Sequence, residues 1–335
     1  MEIYSIIFIF KGVCYNDTGD IMTYNNPFPY SDDNKRYHTW NYYLKHRFHQ
    51  KVFKVPLNAG FSCPNRDGTC GVGGCTFCSS LGSGDFAGNM KDDLATQFDQ
   101  GLAMMKRKWP NGIPMAYFQA YTNTYADLET LKKCFDPFVL RDDIAAISIA
   151  TRADCLEDDK IAYLQSLTEQ KEIWIELGLQ SIYDETANNI NRGHIYAQFL
   201  DCIQRLSHTN IKIAVHLMNS LPNETKEMMI ESARAIGKLP IHAIKIHMLH
   251  LIQNTKMGNE YKQNPFPLLS REDYIDVVIR QLEVLPEEMI IQRLTGDGVK
   301  EDLIAPLWTL KKVTILNDID KEMKKRNTWQ GKYYK

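Results

Sequence analysis

The sequence predicts an α/β protein whose parallel strands and helices form an incomplete barrel. Short apolar segments that read as strands alternate with longer segments that read as helices, as in repeated strand–helix units. The predicted strands span residues 51–60, 115–122, 144–151, 173–180, 211–218, 241–250 and 289–294. The predicted helices span residues 89–109, 128–139, 156–168, 195–207, 225–238 and 271–285. Six such units leave the barrel open on one side, because the mostly helical tail after Asp297 is too short for two more.

Alternation within the predicted strands places polar side chains on the inner face of the barrel. Residues two apart in a strand share a face. The apolar odd-numbered residues of segment 211–218 should meet the helices, which turns His216 inward. The same reasoning selects Tyr117, Gln119, Tyr121, Glu176, Gly178, Gln180, Lys245 and His247 as inward-facing residues. A barrel interior is ordinarily packed with branched apolar side chains, so polar residues on four strands indicate a functional interior.

Composition and charge limit the classes of protein that this chain can represent. The 335 residues are 44% hydrophobic and 24% charged, which suits a globular enzyme. A net charge of −2 gives no overall attraction to nucleic acid, so any such binding would need a local patch. The 8 cysteines are clustered rather than evenly paired, which predicts a reducing, cytoplasmic location. No segment has the length and apolar character of a transmembrane helix, so we expect no membrane association.

The chain divides into four predicted regions. Residues 1–21 differ in character from the rest, and we interpret them as a non-native or disordered extension preceding a start at Met22. Residues 22–50 form a basic and aromatic segment, and residues 51–297 form the barrel. Residues 298–335 form a helical C-terminal extension.

Residues 35–54 combine lysines and arginines with aromatic rings and contain no acidic residue. Cations for phosphates and flat rings for bases are typical of proteins that bind single-stranded or looped RNA. The same composition also fits an amphipathic helix whose rings enter the core and whose charges stay in water. From a single sequence the pattern favours the helix, and RNA binding stays the alternative.

A loop rich in cysteine and glycine is the strongest chemical signal in the sequence. Cys63, Cys70, Cys75 and Cys78 lie within sixteen residues that also contain four glycines and no apolar periodicity. Soft thiolates at this spacing suit zinc or an iron–sulfur cluster. Four thiolates would close a zinc knuckle, whereas three would leave one iron of a cubane cluster open. Phe77 could pack on an adenine ring or serve as a local core anchor, and spacing alone does not choose between the two metals.

Seven separated blocks resemble one enzyme family. They are residues 60–68 (GFSCPNRDG), 82–88 (GSGDFAG), 118–125 (FQAYTNTY), 176–181 (ELGLQS), 191–194 (NRGH), 292–297 (QRLTGD) and 328–331 (TWQG). With the final Cys75-Thr76-Phe77-Cys78, they resemble the short, stand-alone, Elongator-like radical S-adenosylmethionine (SAM) proteins of bacteria. The chain departs from the family pattern at Cys70, at its N-terminus, and at residues 219–224 (NSLPNE), where relatives carry a glycine-richer turn.

The resemblance implies a partial (β/α)6 TIM-like radical SAM barrel and a specific chemistry. Three cysteines, Cys63, Cys75 and Cys78, would hold a [4Fe-4S] cluster whose open iron binds SAM. One electron would then cleave SAM to a 5′-deoxyadenosyl radical that abstracts a substrate hydrogen. The resemblance further implies cofactor-binding roles for Phe77 beside the adenine, for Gln119, Tyr121 and Asn123 at the SAM amino group, and for Arg152, Glu176 and Gln180 at its carboxylate and ribose. Residues 191–194 would face the substrate or cap the next helix.

The substrate implied by the resemblance is the wobble uridine of tRNA, modified on its side chain. A flavodoxin- or ferredoxin-type protein would supply the electron. The acetyltransferase domain of the Elongator subunit is not in this sequence, so we expect the chain not to perform the full Elongator reaction alone. Two alternatives stay open: a radical SAM enzyme acting on a small metabolite, and a non-catalytic zinc-binding RNA module.

Overall fold

Seven parallel strands form a single curled sheet in the computed structural model, which describes residues 14–15, 21–22, 26–82 and 84–335. The strands are β1 Val52–Leu57, β2 Ile113–Phe118, β3 Ala146–Thr151, β4 Glu172–Gln180, β5 Lys212–Asn219, β6 Ala243–Met248 and β7 Ile290–Arg293. They lie side by side in chain order, and every neighbouring pair is parallel. A helix follows each of the first six strands, so the prediction of six strand–helix units and a seventh strand is confirmed.

The helices surround the sheet, most of them on its outer face. They are α1 Trp40–Phe48, α2 Leu94–Lys108, α3 Leu128–Val139, α4 Asp158–Leu167, α5 Asp184–Asn189, α6 Tyr196–Ser207, α7 Lys226–Gly237, α8 Lys256–Gln263, α9 Arg271–Glu283 and α10 Lys312–Lys325. The odd-numbered apolar residues of β5, among them Ile213 and Val215, belong to the main core between sheet and helices, as the alternation predicts. No helix of the described chain is long and apolar enough to cross a membrane.

Contacts across the interior show that the sheet curls into a barrel. Tyr117 on β2 and Lys245 on β6 are four strand positions apart, which would separate them by about 19 Å in a flat sheet. Their hydroxyl and ammonium groups lie 3.3 Å apart. The free edge of β7 is partly covered, because the His38 carbonyl accepts a hydrogen bond from the Ile291 N–H at 2.7 Å.

Helix α1 closes the end of the barrel at which the strands begin. Its Trp40 and Tyr43 pack edge-on against the fully buried Trp174, with ring centroids 4.9 and 5.7 Å apart. Small residues at the start of neighbouring strands make room for these rings, namely Ala146, Ala214 and Ala243. The basic and aromatic segment therefore forms the amphipathic helix that its composition favours, with its rings turned into the core.

The C-terminal extension is tied to the N-terminal segment. Gln330, fully buried, accepts a hydrogen bond from the His38 N–H and donates to the carbonyls of Pro286 and Met289. The block at residues 328–331 thus joins the segment around His38 to the turn that leads into β7. The interpretation of residues 1–21 as an extension falls almost wholly outside the described residues, which in that range are Cys14, Tyr15 and Ile21.

Candidate radical SAM site

The cysteine loop leaves the sheet directly after β1, at the end of the barrel opposite to α1. Its backbone turns tightly: the Cys63 carbonyl accepts the Arg66 N–H at 2.8 Å, and the Cys75 carbonyl accepts the Cys78 N–H at 3.0 Å. Cys63, Cys75 and Cys78 are half-buried, whereas Cys70 is exposed. The carboxyl end of a parallel barrel is where such folds ordinarily build their active sites.

The loop is held in place by the segment that follows α5. The side-chain amide of Asn191 donates to the carbonyls of Val72 and Gly74, at 3.1 and 2.8 Å. The Thr76 N–H donates to the Ile190 carbonyl at 2.9 Å, and Asn65 donates to the Asn191 carbonyl. Residues 191–194 were expected to face the substrate or to cap a helix. The structure gives Asn191 a different role, as an anchor of the cysteine loop.

The donor set of the loop fits an iron–sulfur cluster. Burial raises the pKa of the Cys75 thiol to about 12, and the neighbouring Cys78 and Cys63 act in the same direction. A cluster binds thiolates, so its iron must displace this proton on binding. Among the described residues, no group of three His, Cys, Asp or Glu side chains already forms a metal site.

Cys70 differs from the other three cysteines of the loop. Its sulfur lies 3.6 Å from the Arg152 guanidinium, and its backbone N–H donates to the Pro64 carbonyl. Its greater exposure agrees with leaving it out of the predicted ligand set, although its role stays a prediction.

Phe77 packs against a small hydrophobic cluster beside the loop. That cluster contains Ile190, Leu221, Leu249, Leu251 and Met257. The contact supports the core-anchor interpretation of Phe77. Phe77 is only partly buried, and its position beside an adenine ring stays a prediction.

Gln119 and Tyr121 lie just beyond β2, which ends at Phe118. The inward-facing alternation is right for Tyr117 and wrong for Tyr121. The orientation of Gln119 stays a prediction. Tyr121 has φ +60°, its hydroxyl donates to the Ser80 carbonyl at 2.5 Å, and its ring covers Gly82. A Cβ at Gly82 would lie 2.3 Å from that ring, so only glycine fits there. Tyr121 thus braces the loop that follows the cysteines.

Asn123 lies fully buried between β2 and β3. Its amide nitrogen donates to the carbonyls of Phe118, Ala120 and Ala150, at 3.1, 3.1 and 2.9 Å. Its Oδ1 accepts no hydrogen bond from any residue that the structure describes. An acceptor of this kind suits an ammonium group, in keeping with the predicted contact to the SAM amino group.

Arg152 and Gln180 lie at the carboxyl ends of β3 and β4. Arg152 forms a two-pronged ion pair with Asp154, at 2.9 and 2.7 Å, and donates to the Arg192 carbonyl. Gln180 has φ +63°, and its side chain lies across Gly178, where a Cβ would stand 2.8 Å from its amide nitrogen. Their roles at SAM stay predictions.

Glu176 is the centre of a buried ionic network in the middle of the barrel. One carboxylate oxygen accepts from the Lys54 ammonium and from the Ser148 hydroxyl, the latter at 2.7 Å. The other accepts from the Lys245 ammonium and lies 3.1 Å from His216 Nε2. The two ammonium groups hold the pKa of Glu176 well below its usual range, despite its burial. Burial lowers the pKa of Lys245 to about 7.

The network confirms that His216 and Lys245 face inward, and it includes residues that the sequence analysis missed. Lys54 and Ser148 both lie inside the barrel and contact Glu176. The alternation within segments 51–60 and 144–151 predicts this inward face for both residues. Glu176 is fully buried with both oxygens engaged, so its expected contact with SAM stays a prediction.

The fold and the site together define a partial-barrel protein with a thiol-rich loop at the carboxyl ends of its strands. The profile of the Radical SAM superfamily matches residues 68–236, and that of the Radical_SAM C-terminal domain matches residues 241–325. The chain is 48% identical over 313 residues to YtqA of Bacillus subtilis, covering 93% of this chain and 97% of that protein. It is 34% identical to MJ0486 of Methanocaldococcus jannaschii, covering 86% and 89%. The chain belongs to the radical SAM superfamily.

Two further similarities concern larger proteins. The tRNA uridine(34) acetyltransferase of Methanocaldococcus infernus is 26% identical over 155 residues, which are 45% of this chain and 28% of that protein. The structure of Elp3 from the same archaeon, lacking its N-terminus, superposes with a TM-score of 0.63 at 19% identity. That superposition covers 84% of this chain and 64% of the other, and it shows a shared fold.

Membership of the superfamily decides between the two metals. The protein is a radical SAM enzyme, and enzymes of this superfamily use a [4Fe-4S] cluster and SAM. YtqA and MJ0486 are matched over almost their whole length, so the chain resembles a short, stand-alone form that occurs in bacteria and in archaea. The alternative hypothesis of a non-catalytic zinc-binding RNA module is therefore wrong.

Proposed function

We propose that this enzyme modifies the base of the wobble uridine of tRNA by hydrogen abstraction. The observation that carries the proposal is the similarity, over 155 residues, to proteins named for their action on tRNA uridine(34). The barrel interior agrees with a polar substrate, because Tyr117, Glu176, His216 and Lys245 line it where apolar side chains are usual.

The site residues have separate roles in binding the cluster and SAM. Cys63, Cys75 and Cys78 would hold the cluster, in a loop fixed by Asn191. When bound, the cluster would supply one-electron chemistry for the cleavage of SAM, and a flavodoxin- or ferredoxin-type protein would deliver the electron to it. Asn123 offers its free Oδ1 to the SAM amino group.

The RNA binds at the barrel mouth that carries the cysteine loop, rather than along α1. Within the basic segment, Lys35 pairs with Asp320, Arg47 with Glu172 and Lys54 with Glu176. These three cations pair with carboxylates of this chain, and the aromatic rings of α1 pack, partly buried, against the cluster around Trp174. A base docked on α1 would be at the wrong end of the barrel to meet the cluster.

The test is an assay on protein reconstituted without oxygen with iron and sulfide. With SAM and a strong reductant, we expect formation of 5′-deoxyadenosine and, with unmodified tRNA present, a mass change at uridine 34. A variant with alanine at Cys63, Cys75 and Cys78 should lose both signals, whereas Cys70→Ala is the matched control and should keep them. Formation of 5′-deoxyadenosine without any change in tRNA would instead support a small metabolite as the substrate.

A further inference from the structure

A buried asparagine inside the cysteine loop has a contact that the site described above does not use. Asn65 follows Cys63 by two residues, and its side chain is fully buried. Its side-chain nitrogen donates to the Asn191 carbonyl and lies 3.8 Å from the Cys75 sulfur. A primary amide carries two hydrogens on its nitrogen, so Asn65 can donate to both acceptors at once. One of the three predicted cluster ligands therefore has an N–H donor at its sulfur.

Contacts on two sides leave the Asn65 side chain little freedom to turn away from Cys75. A Cβ at Gly71 would lie 2.0 Å from Asn65 Oδ1, and one at Gly193 would lie 2.8 Å from it. Both positions therefore require glycine, and Gly193 also has a positive φ of +81°. The backbone of Asn65 is fixed as well, because its carbonyl accepts the Gly74 N–H at 2.7 Å. Packing thus holds the amide beside the sulfur.

The orientation of the amide follows from its neighbours. If it were turned over, Asn65 Oδ1 would face the Asn191 carbonyl oxygen, and two acceptors would meet without a hydrogen between them. With the nitrogen at Asn191, the same nitrogen also faces Cys75, and Oδ1 has no partner among the residues that the structure describes. The arrangement leaves an acceptor unpaired and keeps the donor at the sulfur.

A donor at a ligand sulfur changes how readily an iron–sulfur cluster accepts an electron. Cys75 would bind iron as a thiolate, which accepts a stronger hydrogen bond than a neutral thiol does. One-electron reduction adds negative charge to the cluster and to its sulfurs. A hydrogen bond to a sulfur therefore stabilises the reduced form more than the oxidised form, which raises the reduction potential.

We propose that Asn65 sets the reduction potential of the cluster by donating an N–H to the Cys75 sulfur. It makes the cluster easier to reduce, so that a protein electron donor can deliver the electron needed for the cleavage of SAM. In this one-electron transfer the donor protein is oxidised and the cluster is reduced. No bond forms or breaks, and Asn65 keeps both of its hydrogens. Asn65 is a positioning residue, because it acts through Cys75, and its role is independent of the substrate.

The experiment measures the reduction potential of the cluster in protein reconstituted without oxygen, with neither SAM nor RNA present. The electron paramagnetic resonance signal of the reduced cluster is followed against potential and normalised to the iron bound per chain. Asn65→Leu, similar in volume but without a donor, should lower the equilibrium constant for one-electron reduction roughly tenfold, which corresponds to about 59 mV.

Thr69→Val is the matched control in the same loop. It removes the 2.7 Å hydrogen bond between the Thr69 and Tyr125 hydroxyls, which involves no sulfur, and it should keep the wild-type potential. An unchanged potential in Asn65→Leu would overturn the inference. An equal fall in Thr69→Val would attribute the shift to a loosened loop and would overturn it as well.

A second variant covers the case in which Asn65→Leu binds no iron. Asn65→Asp has the same shape, but its carboxylate offers no N–H to the sulfur and adds a negative charge beside it. The potential should therefore fall by at least as much as expected for Asn65→Leu, and a wild-type potential would overturn the inference. If neither variant binds iron, Asn65 serves the assembly of the site, and its role in setting the potential is overturned.

Discussion

Replacing Glu176 by glutamine should destabilise the fold strongly, because it leaves two ammonium groups inside the barrel without their counter-ion. Lys54 and Lys245 approach the Glu176 carboxylate from opposite sides of the interior, and Glu176 itself is fully buried. Removing one partner of a buried ion pair costs about 3–5 kcal/mol. Lys245 relieves part of this cost by losing its proton, since its pKa is already lowered to about 7.

The pH dependence of this effect has a definite sign. In the wild type, Lys245 takes up its proton in the folded state as the pH falls through about 7. Without Glu176 its folded pKa falls further, so the folded variant stays unprotonated where the unfolded chain is protonated. The destabilisation should therefore grow as the pH falls below about 7, by up to about 1.4 kcal/mol per pH unit.

Urea unfolding near pH 6 and near pH 8 measures both effects. The matched control is Glu224→Gln: this partly buried carboxylate accepts from the Ser181 hydroxyl, and no cation among the described residues forms a salt bridge with it. Its substitution should cost about 1 kcal/mol. A third variant with Lys54→Met, Glu176→Gln and Lys245→Met should recover much of the loss, because no unpaired charge remains. A cost below about 1 kcal/mol for Glu176→Gln, equal at both pH values, would refute the ionic network as a determinant of stability.

Three further predictions address the loop, the histidines and α1. Asn191→Gly keeps the positive φ of +52° but removes two hydrogen bonds to the cysteine loop. The iron bound per chain should fall while the unfolding temperature changes little. Full iron content in this variant would contradict the anchoring role of Asn191. The folded-state pKa values of His194, at about 3, and His216, at about 4, lie below the unfolded value of 6.5. Each histidine should therefore lower the free energy of unfolding by about 1.4 kcal/mol per pH unit as the pH falls from 6.5 towards 4. A urea midpoint that stays constant between about pH 7 and 5 would exclude this effect. Trp40→Ala removes the edge contact with Trp174 and should cost about 3 kcal/mol in urea unfolding, whereas an unchanged midpoint would show that α1 does not stabilise the barrel.

The order of strands and helices could be predicted from the sequence because it depends on local apolar runs. Alternation also placed Glu176, His216 and Lys245 correctly, since a residue's face follows from its position in the strand. It failed for Tyr121, where β2 had already ended and the backbone takes φ +60°. Strand ends depend on tertiary contacts, here the hydrogen bond between the Tyr121 N–H and the Gly82 carbonyl, which a strand pattern does not encode.

The support of the cysteine loop could not be read from sequence for a related reason. Asn191 and its acceptors Val72 and Gly74 lie 119 and 117 positions apart, so nothing in either segment alone reveals the contact. The thiols indicate metal chemistry, because several metal-binding residues at close spacing are rare in a sequence. The asparagine that orients them is an ordinary residue of a loop, and only the fold brings it to the cysteines.

The basic segment shows why charge composition alone is a weak guide to a nucleic-acid surface. Residues 35–54 contain no acid, but their carboxylate partners lie far along the chain: Lys35 meets Asp320, and Arg47 meets Glu172. Neutralising these lysines and arginines would therefore weaken the fold as well as any RNA contact, so loss of binding in such a variant would not locate the RNA. A comparison of RNA ligands avoids this problem, because it alters the ligand and leaves the protein unchanged.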